Sequence, residues 1–452
     1  MNKIQFYAAI LTAKFLTLML KTFTKSQATS LPGLVALRIC PEFIKRSQKY
    51  CKDGTINITG TNGKTTTAGL FAHILDEGGK KVLHNEKGAN MLTGVASALV
   101  EGVGFAQRSD YFVLESDEAY LTRLYDSISA NYLLVTNLFR DQLDRYGELD
   151  TTYKKIQEAI DKNPDLKVVL NADDPMVALL GSKNERIYFG FDEIQFMFDT
   201  VDAKAPAESV ECANCGKNLV YDKRFYAHLG EYKCECGYKR PELKYSASAM
   251  IFLDYSIINI NVDGQELNFR VNLPGLYNVY NALAAIALAL ELGQDAKTIQ
   301  DALYSYHSVF GRAESLVLKG KKALVQLIKN PVGASEVLRL IGDNKNSKLL
   351  VILNDNYADG RDVSWIWDAN FEILQNYKQK IVVSGDRAYD MAVRLKYAGV
   401  DESQFIIEKD ILKAMEKAIA MTSNDETLLI LPTYTALLKM QKLIRKHSFS
   451  HT

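Results

Sequence analysis

The stretch Thr55-Ile-Asn-Ile-Thr-Gly-Thr-Asn-Gly-Lys-Thr-Thr-Thr67 runs from apolar, β-branched residues into a glycine turn and then a Lys-Thr pair. Those types in that order suit a phosphate-holding loop. Gly60 and Gly63 have no side chain to keep backbone N–H groups away from phosphate oxygens, and a helix opening near Lys64 would aim its positive end at the same point. Within Gly60, Thr61, Asn62, Gly63, Lys64, Thr65 and Thr66, the amine of Lys64 suits the β- and γ-phosphates and the hydroxyl of Thr65 suits Mg2+. The full Gly-x-x-x-x-Gly-Lys pattern is incomplete, because Ile58 stands at the first glycine position, and a purely structural turn remains the alternative. A second apolar run, Tyr111-Phe-Val-Leu114, ends in Glu115-Ser-Asp117-Glu118, and Glu115 is the candidate for a second Mg2+ contact at the end of a neighbouring strand.

Four of the six cysteines form two close pairs, Cys212-Ala-Asn-Cys215-Gly and Cys234-Glu-Cys236-Gly. Two tight turns of this kind direct four thiolates at one tetrahedral Zn2+, with Lys217 to Lys233 as the hairpin between them. All four ligands being cysteine leaves no open position for water, so the expected zinc is structural. Disulfides are the weaker alternative. Cys40 and Cys51 stand alone and read as small buried apolar residues.

These residues need elements to position them. A chain of 452 residues implies two or three domains. Lys+Arg and Asp+Glu are equal at 54 each, so no global field draws the chain to nucleic acid, and no such partner is expected. Phe6 to Leu20 is apolar but interrupted by Lys14, with Lys21 just beyond and no small-residue cleavage pattern following. This argues for an amphipathic packing helix, with a weak membrane-surface contact as the sharper alternative, and against a signal peptide or spanning helix. Without an export signal, the expected compartment is reducing and cytoplasmic.

Residues 1–48 read as a helical lead-in with a turn at Ser30-Leu-Pro-Gly33. Residues 49–312 alternate strand-like runs (Ile56–Ile58, Tyr111–Leu114, Tyr132–Val135, Val168–Leu170) with helical patterns, which predicts a parallel sheet with crossover helices, interrupted by the cysteine insert at 208–242. Residues 313–452 repeat the alternation: strands at Lys348–Leu353, Lys380–Ser384, Gln404–Ile407 and Thr427–Leu431, and helices at Ala388–Tyr397 and Ile411–Ala420, predict a separate Rossmann-like α/β domain.

Five ordered motifs resemble the Mur ligases of peptidoglycan synthesis and their folylpolyglutamate synthase relatives. They are Gly60-Thr-Asn-Gly-Lys-Thr-Thr66; Thr136-Asn137 with Asp141-Gln-Leu-Asp144; Leu170-Asn-Ala-Asp-Asp-Pro175; Gly275-Leu-Tyr-Asn-Val-Tyr-Asn281; and Phe310-Gly-Arg-Ala-Glu314. The resemblance covers most of the chain and implies a Mur ligase-like central ATPase domain using ATP and Mg2+. It places Asn281 near the adenine, Arg312 near the phosphates, and Asn137 and Asp141 on the floor of the site. Singly, Asn281 could instead cap its helix and Arg312 could be a surface ion pair.

Departures from the pattern narrow the resemblance. The Asp-Tyr-Ala-His-x-Pro segment of amino-acid-adding members is here Gln326-Leu-Ile-Lys-Asn-Pro331, Tyr277 replaces a His, and Gln142 stands where His is common. With the four cysteines and Asn354-Asp-Asn-Tyr-Ala-Asp-Gly-Arg-Asp362-Val-Ser-Trp-Ile-Trp-Asp368, the chain is similar to the MurT-type branch, the synthetase subunit of lipid II isoglutaminyl synthase. That implies ATP-dependent amidation of the α-carboxylate of D-glutamate in the membrane-anchored lipid II stem peptide, through an acyl phosphate, at the inner face of the cytoplasmic membrane. It also implies a heterodimer with a GatD-like glutamine amidotransferase, to whose Cys–His pair Asp355 would lend the acid. The alternative for Asp355 is a turn or cap shared with Asp359 and Asp362. Two other functions stay open: an amino-acid-adding or folylpolyglutamate-type ligase, and a non-enzymatic zinc-ribbon scaffold that binds nucleotide.

Overall fold

Short β-branched runs separated by helical stretches assemble into two sheets and a hairpin in the computed structural model, which describes residues 3–23, 30–85, 90–104, 108–139, 148–196, 211–252, 254–262, 264–306, 312–341 and 347–446. The lead-in is helical: α1 (Lys3–Phe23), α2 (Leu31–Ile39) and α3 (Phe43–Ser47). Ser30-Leu-Pro-Gly33 is not a turn but the opening of α2. Pro32 is accepted in a first helical turn because its missing N–H would be unpaired there anyway, and Gly33 lets the backbone close on Thr93 and Ser97.

The central unit follows in chain order as β1 (Cys51–Thr59), α4 (Lys64–Glu77), β2 (Val82–His84), α5 (Leu92–Gly102), β3 (Ser109–Glu115), α6 (Leu121–Tyr125), β4 (Tyr132–Val135), α7 (Glu148–Asp161), β5 (Lys167–Asn171) and β6 (Arg186–Phe196). The hairpin β7 (Val220–Tyr226) and β8 (Leu229–Lys233) comes next, then β9 (Tyr245–Ile251), β10 (Ser256–Val262), β11 (Gln265–Val271), α8 (Leu276–Glu291) and α9 (Ala296–Ser305). The sheet order is β11-β10-β9-β6-β5-β4-β1-β3-β2.

The sheet is parallel for most of its width, as expected: from β2 through β9 neighbours are parallel, and β9-β10-β11 adds an antiparallel meander at one edge. The cause is connection length, since hairpin turns join antiparallel strands and only long crossovers join parallel ones. Helix α8 is apolar on nearly every face, and its run of alanines lets it lie close between the sheet and α4.

The third unit contains β12 (Arg312–Leu318), β13 (Lys321–Gln326), α10 (Pro331–Ile341), β14 (Ser347–Ile352), β15 (Ile381–Ser384), α11 (Ala388–Tyr397), β16 (Phe405–Ile407), α12 (Ile411–Met421), β17 (Thr427–Pro432) and α13 (Tyr434–Lys446). Its order is β12-β13-β17-β14-β15-β16, with only the β12–β13 pair antiparallel. Strand order reverses at β1 in the central sheet and between β14 and β17 in this one. Such reversals open a crevice beyond the strands' C-terminal ends.

Candidate functional site

At the C-terminal end of β1 the chain turns through Gly60 (φ +124°) and Gly63 (φ +85°) into α4. A Cβ on Gly60 would come within 2.3 Å of Thr136 Oγ1, and one on Gly63 within 2.0 Å of Asn281 Oδ1. Both glycines are therefore imposed by close neighbours as well as by backbone conformation. The loop is pinned from the end of β4. Asn137 accepts from the N–H of Thr61 at its carbonyl (2.8 Å) and from the N–H of Asn62 at Oδ1 (2.9 Å), while Thr136 Oγ1 donates to the carbonyl of Asn62 (2.7 Å). The first N–H groups of α4 lack intrahelical acceptors by geometry, which leaves a helix N-terminus suited to an anion.

Lys64 is not on an open surface. Its amine donates to the carbonyls of Gly60 and Thr61 and pairs with Glu118 Oε1 at 3.0 Å, both side chains being largely covered. Thr65 Oγ1 donates to Glu115 Oε1 at 3.0 Å. Glu115 itself is buried at the end of β3, with its N–H and carbonyl held by the carboxamide of Asn85 at 2.8 Å each. A hydroxyl and a carboxylate at that separation are hard oxygen donors of the kind Mg2+ takes, so the residues present fit the ion.

Asn281, from the sixth position of α8, is buried against Gly63, and its Oδ1 accepts from Thr67 Oγ1 at 3.4 Å. It therefore lies well past the cap of α8, packed on the glycine turn. Asp141 and Gln142 fall outside the described residues, as do Phe310 and Gly311; Arg312 opens β12, where only its backbone is described. Sequence reasoning quoted Glu118 within an acidic run without giving it a role, and it passed over Asn85, whose contact with Glu115 joins two strands and leaves no local trace.

The cysteine insert lies in the connection from β6 to β9 and packs on the β5–β6 connection. Sγ atoms of Cys212, Cys215, Cys234 and Cys236 all lie within 4.8 Å of one another, with Cys212–Cys236 at 3.7 Å and Cys215–Cys234 at 3.5 Å. Tetrahedral zinc with Zn–S near 2.3 Å needs sulfurs about 3.8 Å apart, so the donor set fits zinc. Below the cysteines the insert is tied to Asp173 and Asp174, both fully buried. Arg240 reaches Asp173 Oδ1 (3.0 Å), and His228 Nε2 reaches Asp174 Oδ2 (3.1 Å). The same Asp174 Oδ2 accepts from the N–H of Leu138 (2.8 Å), so one carboxylate links the hairpin tip to the Thr136–Phe139 loop. Burial pushes the Asp173 carboxyl up to about 6, against the pull of Arg240, Tyr280 and the N–H of Phe191.

Asp355 follows β14 and meets the segment that leaves β15. Its Oδ2 meets Arg387 Nη1 at 3.2 Å, and the loop around it is braced: Asn354 and Asn356 both donate to Thr435 Oγ1, and Asp359 accepts from the N–H of Thr435. Asp362 accepts from the N–H of Ser364. The turn-and-cap work thus falls on Asp359 and Asp362, while Asp355, about a third exposed, faces Arg387.

Two family models match the chain: the Mur ligase middle domain over residues 58–289 and the MurT ligase C-terminal domain over residues 327–437. The chain is similar to the lipid II isoglutaminyl synthase (glutamine-hydrolyzing) subunit MurT of Streptococcus pneumoniae, 38% identical over 428 residues, with 92% of each chain covered. It is also similar to the subunit of that name from Staphylococcus aureus, 36% identical over 423 residues with 93% of each covered. Among solved structures, a pseudomurein peptide ligase type C from Methanothermus fervidus superposes with a TM-score of 0.65 at 25% identity, covering 90% of this chain and 81% of that one.

Proposed function

The chain belongs to the MurT branch of the Mur ligase family, and from that membership we propose that it amidates the α-carboxylate of D-glutamate in the lipid II stem peptide, giving D-isoglutamine. It is an ATP-dependent carbon–nitrogen ligase of a family that uses ATP and Mg2+. The observation that carries the reading is the meeting of Lys64, Thr65 and Glu115 at the β1 crevice in a chain whose Gln326–Pro331 segment lacks the aspartate and histidine of amino-acid-adding relatives. Ammonia needs no amino-acid pocket, so those residues are dispensable for it.

Bound MgATP would supply the phosphoryl group that turns the carboxylate into an acyl phosphate. Lys64 would leave Glu118 to offset phosphate charge, Thr65 and Glu115 would hold the ion, and Gly60 to Thr66 would cradle the phosphates. Asn137 keeps that cradle in shape, Asn281 and Arg312 would serve the nucleotide, and Asp141 would be a substrate-site residue. Positioning and charge neutralisation are the catalytic tasks; ammonia then displaces phosphate.

Ammonia would come from a GatD-like glutamine amidotransferase. Exposed Tyr357 and Tyr389, each two residues along the chain from a member of the Asp355–Arg387 pair, support a docking face there, aromatic residues being favoured in interface cores. Asp355 would orient the partner's imidazole. The four cysteines would hold structural Zn2+, and the reaction would run on the cytoplasmic side of the membrane. Incubation with ATP, Mg2+, lipid II and ammonium salts, read by mass spectrometry, tests the proposal: amide product supports it, and unchanged lipid II in the presence of all four overturns it.

A further inference from the structure

Helix α1 has two apolar faces, and only one is used by the fold. Phe6, Ala9, Ile10 and Ala13 are buried in a core shared with Ala36 of α2, Phe43 and Ile44 of α3 and Leu99 of α5. At 100° per residue, Ile4, Leu11, Phe15 and Leu18 fall within about 60° of one another on roughly the opposite side. These four are 74%, 60%, 64% and 63% exposed. Lys3 and Lys14 sit on the flank between the faces, about 20° apart on the wheel. The helix contains no acidic residue.

Charge decides what covers the open face. Residues 1–50 carry eight Lys and Arg (Lys3, Lys14, Lys21, Lys25, Arg38, Lys45, Arg46, Lys49) against Glu42 alone, a surplus of seven positive charges in a chain whose net charge is zero. A second copy would set one positive lead-in against another. An anionic bilayer surface would attract it, since basic residues near such a surface add binding and apolar side chains then enter the headgroup boundary. α1 passes the length and composition test for a spanning helix. Spanning, however, would strip Phe6 from Phe43 and Tyr50, on which it stacks at 5.2 and 5.7 Å. A helix held by these contacts would have to lie in the plane of the interface.

We propose that the exposed Ile4–Leu11–Phe15–Leu18 face of α1, flanked by Lys3 and Lys14 in a lead-in of net positive charge, docks this protein on anionic lipid bilayers. The test is flotation of the full-length chain with vesicles of phosphatidylglycerol and phosphatidylcholine in equal parts, against vesicles of phosphatidylcholine alone, with no nucleotide or lipid II present. The result is thereby independent of the amidation reading. The chain should float with the mixed vesicles, less so at high salt. The triple substitution Leu11→Ser, Phe15→Ser and Leu18→Ser should lower partitioning by at least about tenfold with an unchanged melting curve, because these side chains are not in the core. Failure of the unsubstituted chain to float would overturn the proposal. So would a dimer without vesicles that the triple variant converts to monomer, because a second copy would then cover the face.

Discussion

Tyr277 Oη donates a 2.8 Å hydrogen bond to Gln326 Oε1, joining the first turn of α8 to the end of β13. Both are positions where the sequence departs from the amino-acid-adding Mur pattern, and the structure makes them partners across the junction of the central and C-terminal units. Gln326 is fully buried, so removal of this donor is not offset by water. Tyr277→Phe should cost about 1–3 kcal/mol of stability. In a double-mutant cycle with Gln326→Leu the two effects should fail to add by roughly 0.5 kcal/mol or more. Additive melting-temperature shifts would show the contact to be incidental.

Zinc removal should act through the insert and not through chemistry. In small zinc modules metal binding and folding are one event worth on the order of 10 kcal/mol at neutral pH. Cys212→Ser or Cys234→Ser should therefore lower zinc content and thermal stability together. Because His228 and the N–H of Leu138 share Asp174 Oδ2, turnover should fall as well. Elemental analysis that found no zinc in the native protein would sink the structural-zinc proposal.

For Asp355 the two nitrogen sources give the readout. Asp355→Asn should suppress glutamine-driven amidation by at least about a hundredfold, since loss of the orienting acid from a nucleophile–His–acid triad costs about ten-thousandfold elsewhere. Activity with ammonium salts should survive. Arg387→Ala, which removes the ion-pair partner but keeps the carboxylate, should spare both nitrogen sources to within about threefold, an exposed pair being worth little. Equal loss with both sources in Asp355→Asn, with the complex still assembled, would place the residue in the synthetase site.

What was legible in the sequence was local. The Gly60–Thr66 turn and the cysteine pairs carry their meaning in a dozen residues, and the strands of the Rossmann-like unit stood out as short apolar runs, Ala388–Tyr397 matching α11 to the residue. Contacts between distant segments were not legible. Glu118 on Lys64, Asn85 on Glu115 and Asp174 between His228 and Leu138 each join residues 30 or more apart in sequence, and acidic or amide residues of that kind read as ordinary loop polarity. The antiparallel edge is a further element that the sequence reading did not name: the alternation of buried and half-covered residues in β9 and β10 is the mark of antiparallel strands, beside the longer parallel pattern.

Lys64→Ala should lower amidation by at least about a hundredfold with either nitrogen source, the scale expected when one donor to a developing oxyanion or phosphate charge is removed. Far-UV circular dichroism should be unchanged, because among the described residues the amine contacts two loop carbonyls and pairs with Glu118. Near-normal turnover would remove the nucleotide assignment from this loop.

The most direct measurement is phosphate release from ATP by the chain with lipid II, comparing ammonium salts with free amino acids as the nitrogen donor. Release coupled to ammonia in a one-to-one ratio with amide product, and no product with any amino acid, is the expected result. Release coupled to an added amino acid that appears in the product would contradict the account and return the chain to the amino-acid-adding ligases.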